Sequence, residues 1–76
     1  MISSEKFLTM LGRYTQAPQA GMDDVLFGAG LDLSSIGFTE FIMALEEEMD
    51  IEIDTDGLDA SIRTAGQLYA KIATMA

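Results

Sequence analysis

The sequence predicts an all-α protein, a small bundle of three main helices plus one short helix, with a long loop between helices one and two. Three observations lead there. Apolar residues recur at three- and four-residue spacing in three separate segments. Each segment opens beside a Ser or Thr suited to cap a helix. No two stretches alternate in a way that would let strands pair. The chain has 76 residues, room for a single domain over residues 1–76 with one core. Its 49% apolar residues and mean hydropathy of +0.22 suffice to build that core, unlike the composition of a disordered chain.

The first helix is expected over residues 3–15, where Phe7, Leu8, Leu11 and Tyr14 share a face. Ser3 is its candidate N-cap, and Ile2 can close over Phe7 as a hydrophobic staple. Gly12 weakens the helix slightly. Pro18 stops any continuation, and a loop then runs to about Ser34. Val25, Leu26, Phe27, Leu31 and Leu33 make this loop too apolar to stay in solvent, so it is expected to pack over the helices. Loops of such length in compact domains often carry function.

The second helix, residues 35–49, has the clearest pattern. On a wheel at about 100° per residue, Phe38, Phe41, Ile42, Leu45 and Met49 fall on one side and are expected to be buried. Opposite lie Ile36, Glu40, Met43 and Glu47, an outward stripe in which apolar and acidic side chains alternate. Ala44, Glu48, Thr39 and Glu46 border it, so three consecutive glutamates are expected to fan across the exposed half. Asp50 to Gly57 alternates like a strand but has no partner to pair with, and reads as an extended loop. Leu58 to Ile62 is long enough for one helical turn. Thr64, with Gln67 three residues on, forms a capping box at the start of the last helix, whose Ala65, Leu68, Ile72 and Met75 share a face.

Charge and residue inventory narrow the function. Thirteen acidic residues face four basic ones, Lys6, Arg13, Arg63 and Lys71, for a net charge of -9, and no basic residue falls between Tyr14 and Ile62. Such a field repels nucleic acid and anionic membrane and steers proteins with basic surfaces toward it. Without cysteine or histidine the chain lacks disulfides, thiolate metal sites and the commonest general base, so independent catalysis is not expected. Its apolar runs are far short of the roughly 20 residues that span a bilayer, and its first residues do not read as a signal peptide. A cytoplasmic monomer without membrane insertion is the expectation.

The segment Leu26-Phe27-Gly28-Ala29-Gly30-Leu31-Asp32-Leu33-Ser34-Ser35-Ile36, followed by Met43-Ala44-Leu45-Glu46-Glu47-Glu48, resembles the acyl carrier protein family over nearly the whole chain. In that family a serine at the start of the second helix, usually within Asp-Ser-Leu or Asp-Ser-Ile, carries 4'-phosphopantetheine. Ser34 and Ser35 compete for the role. Counting back from the Met-Ala-Leu-Glu-Glu-Glu run aligns Ser35 with the modified serine and leaves Ser34 where the family usually has aspartate. A helix N-terminus suits a phosphodiester, because its unpaired N–H groups and positive dipole end face the anion. The simpler alternative is that either serine only caps the helix.

The resemblance implies a non-enzymatic carrier that holds acyl intermediates of fatty-acid, polyketide or related biosynthesis as thioesters. Its form implies a specialised rather than a housekeeping member. It also implies a phosphopantetheinyl transferase and acyl-activating or acyl-transferring enzymes as partners. Ile36, Glu40, Met43, Glu47 and Glu48 would be the docking residues beside the arm, and Met49 would help admit an acyl chain between helices. Two rivals stand beside it. One is a small acidic adaptor without prosthetic group. The other is a calcium loop over Glu52, Asp54, Asp56 and Gly57, which fails at its twelfth position, where Arg63 stands in place of glutamate.

Overall fold

In the computed structural model, which describes residues 2–15, 20–28, 30–55, 58 and 62–75, the chain forms three helices: α1 (Ser4–Gly12), α2 (Ser35–Met49) and α3 (Ala65–Ala73). The described residues contain one isolated antiparallel bridge, between Val25 and Thr64, and no strand. The expected turn at Leu58 to Ile62 and the loop around Pro18 fall largely outside the described residues.

Each helix begins where a hydroxyl can take up a free N–H. Ser3 accepts from Lys6 N, Ser34 from Gly37 N, and Thr64 from Gln67 N. α1 ends earlier than its periodicity suggests. The amides of Arg13 and Tyr14 bond back three residues, to the carbonyls of Met10 and Leu11, which tightens the chain into a turn right after Gly12. α2 runs over the expected 35–49 and stops at Asp50, whose left-handed backbone (φ 54°, ψ 46°) lets the Asp50 and Ile51 amides both return to the Glu46 carbonyl.

The core gathers around Phe7, whose ring meets Phe41 of α2 edge-on at 5.4 Å and Tyr69 of α3 at 5.0 Å. Edge-on aromatic pairs add about 0.5–1.5 kcal/mol each beyond their area, so one residue of α1 ties the three helices together. Met10, Leu11, Ile42, Leu45, Ala65, Leu68 and Ile72 extend the buried helix faces around it. Tyr69 also fixes the chain start, its hydroxyl donating to the Ile2 carbonyl at 2.7 Å.

The long loop packs as expected through Leu26, Leu31 and Leu33, all buried, whereas Val25 and Phe27 stay exposed. Backbone bonds fix it to the start of α3: Gly66 N donates to Met22 O, Ala65 N to Asp24 O and Leu26 N to Arg63 O. The loop then turns tightly, with Leu31 N donating to Val25 O at 2.7 Å. Gly30 is required there, since a Cβ at this position would lie 2.1 Å from the Val25 carbonyl oxygen. The returning limb of the turn, held by Leu33 N to Leu26 O at 2.9 Å, delivers Ser34 to the head of α2.

Candidate site at the head of helix two

Two adjacent serines share the entrance to α2 and take different roles. Ser34 has extended backbone (φ -78°, ψ 162°), and its Oγ accepts from Gly37 N at 2.9 Å, while its carbonyl accepts the first helical bond, from Phe38 N at 2.8 Å. It is the N-cap. Ser35 is the first helical residue. It is exposed, and among the described residues its hydroxyl makes no hydrogen bond; its carbonyl accepts from the Thr39 hydroxyl at 3.0 Å. At a helix start, the amides of the first two residues have no acceptor within the helix. Here these are the N–H groups of Ser35 and Ile36, beside the free hydroxyl.

No carboxylate lies in the first turn of α2, so the positive end of the helix dipole is uncompensated from within the helix. The cap is also sterically defined. Gly37 is buried, and a Cβ there would come within 3.1 Å of Ser34 Oγ and 3.2 Å of the Tyr14 carbonyl. The turn that follows α1 therefore lies against the first turn of α2, and a side chain at position 37 would press on both Ser34 Oγ and the Tyr14 carbonyl.

Below Ser35 the outward stripe is present. Ile36 and Met43 are 73% and 61% exposed, and Glu40 and Glu47 are exposed between and beyond them. Residues seven apart on one face of a helix are about 10.5 Å apart along its axis. The stripe is thus two interleaved pairs of that spacing, one apolar and one acidic.

The three consecutive glutamates do not act alike, which corrects the expectation that all three fan into solvent. Glu46 is half-buried, and its carboxylate accepts from Ile53 N at 2.8 Å, closing the chain reversal after α2. Glu48 is exposed but forms an ion pair with Lys6 of α1. Of the three, only Glu47 is exposed and also makes no hydrogen bond or ion pair among the described residues. Helical periodicity could not separate them, because the partners of Glu46 and Glu48 lie in a loop and in another helix.

Beside the stripe runs a cleft of about 270 Å³, lined by Phe38, Thr39, Ile42, Met43 and Glu46 of α2 and by Thr55 of the following loop. Phe38, expected in the core, is only half-buried. Its ring lies against Phe27 at 5.6 Å and forms one wall of the cleft. Met49 packs against the core and does not line this cleft. The signal for the cleft in the sequence was weak: Thr39 sits at the border of the two faces, and nothing local marks Thr55. Of the proposed calcium loop, Asp56 and Gly57 lie outside the described residues. Among the described residues no helix is long and apolar enough to cross a membrane.

A family model described as the phosphopantetheine attachment site matches residues 5–72. Among solved structures, one assigned as an acyl carrier protein of Mycobacterium tuberculosis superposes with a TM-score of 0.77 at 25% identity, covering 92% of this chain and 93% of that one. No curated protein sequence matches the chain at a significant level.

Proposed function

The chain belongs to the phosphopantetheine attachment family and is a non-catalytic carrier bearing covalent 4'-phosphopantetheine, and on that premise we propose that Ser35 is the residue that bears it. The arm supplies a long tether ending in a thiol, on which acyl intermediates are held as thioesters. The chain's own residues do the rest. Ser35 offers an exposed hydroxyl to the transferase, and the open amides of Ser35 and Ile36, at the positive end of α2, favour the phosphodiester once formed. Family membership leaves no place for the adaptor without prosthetic group.

The observation that carries the choice of Ser35 is the split between the two serines: Ser34 Oγ is engaged by Gly37 N, and the Ser35 hydroxyl is exposed and unengaged among the described residues. Incubating the purified protein with coenzyme A and a broad-specificity phosphopantetheinyl transferase should give one adduct by intact mass. Ser35→Ala should abolish it, and Ser34→Ala should retain it. An adduct that persists in Ser35→Ala and disappears in Ser34→Ala would reverse the assignment.

Carriers of this family meet a phosphopantetheinyl transferase and biosynthetic enzymes. The finer reading is that these partners present basic surfaces to Glu40, Glu47 and Glu48 and an apolar seat to Ile36 and Met43. Rim charges of this kind raise encounter rate more than lifetime, as suits a carrier that must dock and leave repeatedly. The cleft beside Thr39, one turn below Ser35, offers the apolar side chains of Phe38, Ile42 and Met43 to the proximal part of an apolar cargo. A cytoplasmic monomer fits the net charge of -9, which opposes self-association.

A further inference from the structure

Of the carboxylates on α2, those of Glu46 and Glu48 are already occupied, by Ile53 N and by Lys6 Nζ. The two engagements differ in kind. Glu46 is half-buried and bound to backbone, so nothing from outside can replace its partner without opening the chain reversal. The Lys6 and Glu48 side chains are 52% and 39% exposed. A pair that open to water is held loosely and stays within reach of an approaching protein. The chain has only four basic residues, and one of them sits against its acidic helix from the neighbouring α1. Any cation of a partner that seeks Glu48 meets Lys6 there first.

We propose that Lys6 is an intramolecular competitor for the partner's basic groups, masking Glu48 and narrowing the docking face to Glu40 and Glu47 around Ile36 and Met43. The inference rests on the docking face described above and deepens it. The partner best matched has two basic side chains about 10 Å apart, the spacing of Glu40 and Glu47 along the helix, flanking an apolar seat. A partner that relies on a third cation at the level of Glu48 must displace Lys6 and associates more slowly. Lys6 thereby sets partner choice through a charge on a helix that carries none of the docking residues.

The test is a set of variants measured by the kcat/KM of a phosphopantetheinyl transferase acting on the apo protein with coenzyme A, at low and at physiological ionic strength. Lys6→Gln should raise kcat/KM by about three- to tenfold at low salt, with the gain shrinking as salt screens the charges. Glu48→Gln should cost less than half as much as Glu47→Gln in the wild-type background, and as much as Glu47→Gln once Lys6 is Gln. That coupling is what a double-mutant cycle isolates. Lys71→Gln, which changes net charge equally from α3, should leave the rate within twofold. Circular dichroism confirms that each variant is folded.

Equal gains from Lys6→Gln and Lys71→Gln would reduce the effect to overall charge and overturn the proposal, as would a Glu48→Gln cost that is the same in both backgrounds. If Glu40→Gln and Glu47→Gln slow modification while Lys6→Gln changes nothing, masking falls and the docking face stands. If neither glutamate variant slows it, the docking face falls and the masking falls with it.

Discussion

The heads of α2 and α3 are built from the same chemistry and finished differently. Both begin with a hydroxyl N-cap in extended conformation that accepts from the third residue of the helix. At α3 every further donor is then filled. Gln67 Oε1 accepts from Thr64 N and Arg63 N, and Ala65 N and Gly66 N donate to the loop carbonyls of Asp24 and Met22. At α2 the cap makes its one bond and the entrance stays open, with an exposed serine next to two amides that lack a helical acceptor. A helix start whose donors are all taken by the chain is a structural joint. One that leaves donors free beside a nucleophilic hydroxyl is prepared for a ligand that brings its own acceptors.

The contrast is broken most severely from the loop that joins the two heads. Gly30 lets Leu31 N reach Val25 O, and Val25 is the residue bridged to Thr64. In Gly30→Ala the added Cβ would meet the Val25 carbonyl at 2.1 Å, so the loop must move away from α3 or the turn must open. Forced overpacking of this kind costs on the order of 3 kcal/mol, a large part of the stability of so small a domain. Chemical denaturation should show that loss. A variant as stable as the wild type would mean that the loop does not brace the start of α3.

A smaller effect separates the two caps. Thr64→Ala removes one half of a reciprocal box and should cost about 1–2 kcal/mol, while Ser34→Ala removes a single bond and should cost about 1 kcal/mol or less. Measured side by side in urea, the threonine variant should have the lower midpoint, and both should still accept phosphopantetheine. Equal midpoints would argue that the capping box adds nothing at α3.

How much of this could be read from the sequence follows the range of the interactions. The bounds of α2 and the Thr64 and Gln67 box are local patterns, complete within a few residues, and they came out as expected. The choice of Ser35 over Ser34 needed the register of a known family, and the cap geometry gives an independent reason for it. The expectations that changed depend on distant partners. α1 was expected to reach residue 15 and ends at Gly12, where the amides of Arg13 and Tyr14 turn back. Glu46, Glu47 and Glu48 are equivalent by periodicity and are distinguished only by Ile53 and Lys6. The backbone bonds between residues 22–26 and 63–66 join segments about forty positions apart, with nothing in either to announce the other.

The finest test of the comparison is a charge placed at the open head. Ser34→Asp keeps an N-cap acceptor for Gly37 N and adds a carboxylate to a first turn that has none. It should stabilise the folded state by about 0.3–1 kcal/mol at neutral pH. The interaction favours the ionised form, so the folded pKa of the new aspartate falls below its unfolded value of about 3.9. The added stability is therefore fully present above that value and is lost as pH falls through the folded pKa. The same charge would face the phosphodiester on Ser35, so the gain should be smaller in the modified protein than in the unmodified one. Thermal unfolding of both forms at pH 7 and pH 3 reads this out. An equal gain in both forms would mean that the arm's phosphate does not sit at the head of α2, which would detach the open donors from the function proposed for them.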